Sequence, residues 1–153
     1  MILLWHAAEP VGVCVFAAPA GAVPQRSRYF GLRNPGSRAA LAALNAKLWV
    51  LQRVVLHPAY RGAGIAAAFV RRACELCPAD WVETLAAMGH ANPVFERAGY
   101  VRVGAARPGG PVYYVFDNRK RTNHRVTEGT EGRNTERETG FQTEDGTVLP
   151  LLS

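Results

Sequence analysis

Acidic residues are scarce over most of this sequence, and no metal-ligating motif is paired. Between Met1 and Asp117 there are six Asp and Glu against twelve Lys and Arg; from Asn118 onward there are six of each. The basic excess therefore belongs to the first 117 residues. It suits an anionic ligand such as a nucleotide, a phosphorylated cofactor or nucleic acid. The shortage of carboxylates argues against a polycationic ligand such as a polyamine or an aminoglycoside. Cysteine is also sparse: Cys14, Cys74 and Cys77, an odd number with one C-x-x-C. A structural zinc site uses four ligands, and no second C-x-x-C or paired histidine motif supplies the rest. Cys74 and Cys77 are thus read as packed thiols at the end of an apolar helix, and no metal is expected. The longest apolar run, Val11 to Val23, is too short to cross a bilayer and contains Pro19. No basic segment precedes the apolar "MILLWH" start, so neither a membrane span nor a leader is read, and the expected setting is the cytoplasm.

What is present is a globular pattern, 48% hydrophobic over 153 residues. Ile2–Trp5 and Val11–Ala17 read as two strands of a hairpin. A Pro/Gly/Arg-rich connection follows, then a helix over Ser37–Lys47 with Ser37 as its N-cap. Leu48 to Leu56, almost continuously apolar, reads as a central strand covered on both faces and stopped by Pro58. Ile65, Phe69, Ala73 and Leu76 recur at helical spacing, so Gly64–Leu76 reads as a helix ended by Pro78. Trp81–Met88 is the next strand. Asn92 caps a short helix with Pro93 in its first turn and Gly99 at its close. "YVRVG" and "PVYYVFD" complete the strands. From Asn118 to Thr147 the chain is rich in Thr, Glu, Gly and Arg and nearly free of large apolar residues. It is expected to form a polar, disordered tail over 118–153, leaving a folded unit over 1–117.

The loop "HPAYRGAG" joins the end of the central strand to the start of a helix. The first turn of a helix holds N–H groups without intrahelical partners, and its dipole favours anions. Small residues let a phosphate approach those groups, and Arg61 adds a fixed positive fork. This is the chemistry of a diphosphate cradle. It is not a P-loop, which needs Gly-Lys-Ser/Thr. It also fails the dinucleotide fingerprint, which needs glycine where Ala67 stands; an acid about twenty residues on, Glu83, lies inside a strand.

Arg61-Gly62-Ala63-Gly64-Ile65-Ala66 fits R-x-x-G-x-A, which resembles the acyl-CoA signature of the GNAT N-acetyltransferase family. "ANPVFERAGYVRVG" resembles that family's later segment, and the two together span Leu48 to Gly104. The resemblance implies a mixed α/β fold (α+β) with a mostly antiparallel central sheet flanked by helices. It implies that acetyl-CoA, or another acyl-CoA, is the co-substrate. The diphosphate would rest on the amides of Gly62, Ala63, Gly64, Ile65 and Ala66 beside Arg61. The pantetheine arm would pair with Val54, Val55 and Leu56, and Asn92 would help to position it. The reaction would be direct transfer of the acyl group to an amine of a small molecule or peptide.

The sequence departs from the family pattern in two places. The tyrosine that many members use to protonate the leaving thiolate is Phe95 here. The family's first strand and one or two helices before the hairpin have no counterpart; the Ser37–Lys47 helix, a homodimer or other partner, or sequence upstream would supply them. Two residues stand as candidate bases: Glu83, inside a strand beside the implied gap, and His57, at the end of the central strand. Each has a plainer reading, Glu83 turned to solvent or paired with an arginine and His57 as a loop-edge residue. The alternative function is a catalytically silent acyl-CoA-binding or interaction module. Nucleic-acid binding is not expected, because the arginines are scattered and no helix-turn-helix, zinc-finger or RNA-recognition signature occurs.

Overall fold

The computed structural model describes residues 1–32, 38–62, 64–119, 139–142 and 148–150. Strands β1 (Ile2–His6) and β2 (Glu9–Ala17) form the expected antiparallel hairpin. β2 continues into an antiparallel pairing with β3 (Leu48–Leu56). Between them lie two helices, α1 (Pro24–Tyr29) and α2 (Arg38–Asn45). The first falls in the Pro/Gly/Arg-rich connection expected to be loop: Pro24 at its first turn is the one local helix signal, and six residues carry no periodic stripe. The N-cap assigned to Ser37 lies outside the described residues.

Helix α3 (Ile65–Leu76) carries the chain from β3 to β4 (Trp81–Ala86), which runs parallel to β3. A short helix α4 (Val94–Arg97) leads to β5 (Val101–Ala105) and β6 (Val112–Asp117), an antiparallel pair with β6 against β4. Helix α4 ends in a Schellman motif: Tyr100 N–H donates to the Phe95 carbonyl and Gly99 N–H to that of Glu96, with Gly99 at φ 97°. Thr139–Gln142 (β7) pairs antiparallel with β1, and Val148–Pro150 (β8) pairs with β7. The described residues thus form one mixed, mostly antiparallel sheet in the order β5-β6-β4-β3-β2-β1-β7-β8. The last two strands differ from the disorder expected of the tail. Backbone pairing depends little on side-chain hydrophobicity, and β7 occupies an edge that the hairpin would otherwise leave open.

Phe69, Val70, Ala73 and Cys74 of α3 pack on one face of the sheet, against Leu4, Cys14, Leu51 and Val82 among others. The buried stripe is therefore shifted from the predicted one, with Ile65 and Leu76 only partly covered. The expectation that β3 is covered on both faces does not hold. Leu48, Leu51 and Leu56 are buried, whereas Trp49 and Val55 are 38% and 43% exposed. An apolar run alone does not reveal that a helix covers only part of one face.

Burial pushes the Cys14 thiol up to about 12 and raises Cys74, Cys77 and Tyr100 as well; Cys74 Sγ and Tyr100 Oη lie 2.9 Å apart. These groups stay protonated in the folded state while the unfolded thiols ionise from about pH 9. Their contribution to stability is whole below that pH and is lost as pH rises toward about 12. Urea unfolding midpoints should hold level from pH 7 to 8.5 and fall steadily from pH 9 to 11. A level profile across the alkaline range would contradict the buried, protonated thiols.

Candidate active site

The two central parallel strands stay together for three residue pairs only, Leu48↔Trp81, Trp49↔Val82 and Val50↔Glu83. Beyond them β3 continues to Leu56 paired with β2, and β4 continues to Ala86 paired with β6. The cause of the divergence is visible in the register. Val15 faces Arg53 but Phe16 faces Leu51, so Gln52 is an extra residue on β3. Such a bulge bends its strand and increases the local twist. The result is a wedge-shaped gap with unpaired backbone on both sides, Leu51–Leu56 on one and Thr84–Ala86 on the other. At its narrow end the Thr84 hydroxyl donates to the Leu51 carbonyl at 2.9 Å.

The wide end opens at the loop before α3. Pro58–Tyr60 forms one 3-10 turn, capped by His57, whose Nδ1 accepts from Ala59 N–H at 3.3 Å. The Tyr60 hydroxyl hydrogen-bonds with His6 Nδ1, tying the turn to the end of β1. Arg61 donates from Nε to the Leu56 carbonyl at 3.1 Å, which holds its guanidinium at the rim. Gly62 and Gly64 adopt φ of 86° and 79°, the left-handed region that side chains resist, and a Cβ at either would meet no atom within 4 Å. Gly64 is the N-cap of α3 and no side chain caps that end. Ile65 and Ala66 form the first turn beside it, and Ala63 lies outside the described residues. Small, open and uncapped, this mouth has the chemistry of an anion site. On the sheet face away from α3, a cavity of about 330 Å³ reaches Arg61 and His57 and is floored by Leu3, Val13 and Val55.

The apex of the gap holds residues that the sequence did not reveal as a group. Arg26 of α1 is fully buried and Glu83 of β4 is 4% exposed. Arg26 donates Nε to Glu83 Oε2 at 2.8 Å and Nη2 to Oε1, and the Tyr113 hydroxyl donates to Oε2 at 2.6 Å. Nη1 of Arg26 donates to the Ala20 and Gly21 carbonyls and to Asn45 Oδ1. Burial opposes the charge on Arg26, but the hydrogen bond and charge of Glu83 outweigh it and hold its pKa above the usual value. Burial and the same carboxylate raise Tyr113. Glu83 therefore sits in a closed ion pair, and His57 serves as an exposed cap. No sequence signal marks Arg26, which lies in a Pro/Gly/Arg-rich segment. Tyr113 left one signal: a polar tip inside a buried strand requires a partner.

These features together, an amide-lined mouth after the central strand, a gap between parallel strands and a short helix closed by glycine, coincide with what known proteins share. A family model described as the Acetyltransferase (GNAT) family matches residues 4–100. The chain belongs to this family. In a comparison with curated proteins no sequence matches the chain. Among solved structures it is similar to AAC(6')-Ib in complex with ribostamycin and coenzyme A, at 20% identity and a TM-score of 0.48, over 79% of this chain and 64% of that one. It is likewise similar to the crystal structure of the aminoglycoside acetyltransferase AAC(6')-Ib with coenzyme A and kanamycin, at 20% identity and a TM-score of 0.48, over 77% and 66%. The chain thus spans just under two thirds of the length of these structures.

In this GNAT-family chain the later segment is intact as structure and altered as chemistry. Phe95 packs edge-on to Tyr100 and tilted against Tyr114, each at 5.4 Å between ring centres. Of these two phenols Tyr114 has its hydroxyl 3.0 Å from the Gly89 carbonyl and 2.9 Å from Glu96 Oε1, two acceptors for its one proton. Asn92 is exposed, and its Oδ1 accepts from Val94 N–H at 3.1 Å, but the helix starts one residue later than expected: Pro93, expected in the first turn, is the N-cap. Removing one partner of the apex ion pair strands the other. Arg26→Met should lower stability by about 3–5 kcal/mol, and adding Glu83→Gln should return a substantial part of that loss. Urea denaturation of the single and double variants measures both. A loss below about 0.5 kcal/mol for Arg26→Met would mean the pair is not closed in solution.

Proposed function

We propose that this protein is an acyl-CoA-dependent N-acyltransferase that moves an acetyl group directly from acetyl-CoA to an amine. The observation that carries the reading is the conjunction of the open glycine mouth at Gly62–Ala66 with the unpaired β3 edge that starts beside it. Amides there would take the diphosphate, with Arg61 adding charge at the rim, and the edge at Val54–Leu56 would take the two amides of the pantetheine arm. The amine nitrogen attacks the thioester carbonyl carbon, the C–S bond breaks, and coenzyme A leaves as thiolate. Backbone N–H groups stabilise the oxyanion, and holding both reactants together supplies much of the rate.

No side chain in this scheme donates a proton to sulfur. Phe95 has none to give, but a thiol with pKa near 8.5 is a tolerable leaving group without an acid. Glu83 is given a positioning role, since its carboxylate is consumed by Arg26 and Tyr113. Water is left to carry the amine proton away, with His57 as the nearest imidazole to the mouth. For the acceptor we favour a small-molecule or peptide amine with an uncharged body. A polycationic acceptor would call for several carboxylates, and residues 1–117 carry only six Asp and Glu, of which Glu83 is taken by Arg26. A second reading, a binding module without turnover, is favoured by Phe95 alone.

Thermal shift separates these readings from failure of both. Acetyl-CoA at millimolar concentration should raise Tm by several degrees, since ligand at about 100 Kd stabilises by about 2.7 kcal/mol. Arg61→Ala with Gly64→Glu should abolish the shift while leaving the unliganded protein folded. Thiol release with an amine panel then reports turnover. No shift with any acyl-CoA would refute the proposal.

A further inference from the structure

The mouth grows out of a small turn that is closed by its own hydrogen bonds. Tyr60 N–H donates to the His57 carbonyl at 2.9 Å, Arg61 N–H to that of Pro58 at 3.1 Å, and Ala59 N–H to His57 Nδ1. The turn hangs from β3 at its start, where His57 N–H donates to the Val11 carbonyl at 2.7 Å, and Arg61 Nε returns to the Leu56 carbonyl. Its far end is held from outside. The Tyr60 hydroxyl hydrogen-bonds with His6 Nδ1, and the two rings meet edge-on with centres 5.5 Å apart. Tyr60 is half-buried against the core and stands edge-on to the His57 ring as well, at 6.0 Å. His6 is the last residue of β1, two strands away from β3. Its backbone is paired on both sides, with Glu9 of β2 and Thr139 of β7.

Immediately after this turn the chain enters the left-handed conformations at Gly62 and Gly64. Glycine has the most conformational freedom to lose, so a mouth built on two of them is costly to hold in one shape. A mouth already fixed before the ligand arrives does not lose that freedom on binding. Resting on the acyl-CoA reading above, we infer that His6 is a positioning residue for the mouth. Through Tyr60 it fixes the turn from which Arg61, Gly62 and Gly64 start, and so it raises the affinity for acyl-CoA without touching it. The strand β1, which meets no part of the ligand in that reading, contributes to binding by this route. Its firm pairing with β2 and β7 gives His6 the fixed place that a support needs.

Calorimetric titration of the whole chain with coenzyme A, well below the Tm of every variant, tests this by binding alone. Tyr60→Phe and His6→Ala should each weaken coenzyme A by about threefold to tenfold, the worth of one hydrogen bond. The double variant should bind no more weakly than either single one, since both changes remove the same bond. His6→Asn, whose amide can meet the phenol where Nδ1 does, should stay within about twofold of the unaltered protein. A bond that serves folding alone would lower Tm and leave the affinity unchanged, and that result would overturn the inference. So would losses that multiply in the double variant, or His6→Asn binding as weakly as His6→Ala. In each of those cases the unaltered protein still binds coenzyme A and the acyl-CoA reading stands. Binding of no coenzyme A species to the unaltered protein would refute the reading itself, and the inference with it.

Discussion

A buried guanidinium facing a buried carboxylate decides how this chain is put together. Arg26 and Glu83 are far apart in sequence, and neither could be taken from water without the other. Their pairing fastens α1 to the sheet, and through Asn45 and the Ala20 and Gly21 carbonyls it also fastens α2 and the connection leading into α1. Tyr113 brings in β6. One charge pair therefore couples the helices between β2 and β3 to the two strands on the far side of the gap. Phe30 stacked edge-on against Trp81 at 5.2 Å is the apolar reinforcement of the same attachment. That pair also determines what the site is able to do, because the acid nearest the apex is committed to structure.

The gap follows from a second local constraint, the bulge at Gln52. It turns β3 out of register just after its last pairing with β4, so the strands separate where the sheet would otherwise continue. Backbone groups left unpaired by this are costly unless water or a ligand meets them. The loop after β3 concentrates the same kind of unmet demand at the start of α3, with two glycines in left-handed conformations and no side-chain cap. Edge and mouth are contiguous through Leu56, whose carbonyl Arg61 holds. The acyl-CoA we propose, with amides along its arm and a diphosphate at its end, would answer both demands at once.

The sequence made some of this readable and concealed the rest for physical reasons. Strands and helices with clear periodicity, β1, β2, α3, β5 and β6, fall within a few residues of their expected limits. The left-handed turns were legible because Gly62 and Gly64 have few other uses in front of a helix, and Gly99 marked the end of α4, whereas its start falls at Pro93, one residue after Asn92. Arg26 was hidden in a segment whose proline and glycine content suggests loop. The partial exposure of β3 was hidden because an apolar run does not report how much of each face a neighbour covers. Strands β7 and β8 were hidden because they are three or four residues long beside a polar stretch, and side-chain composition says nothing about backbone pairing on the open edge of β1. Glu83 was legible as unusual, an acid inside a strand, but its partner was not.

Amide hydrogen exchange with and without acetyl-CoA bears most directly on the claim that the ligand's demands and the chain's unmet backbone groups coincide. Protection should rise in the peptides covering Val54–Leu56 and Gly62–Ala66. Peptides of β1, β6 and α1 should exchange as before, since their hydrogen bonds are already complete. Protection confined to other regions, or absent from the start of α3 while acetyl-CoA is demonstrably bound, would contradict the account.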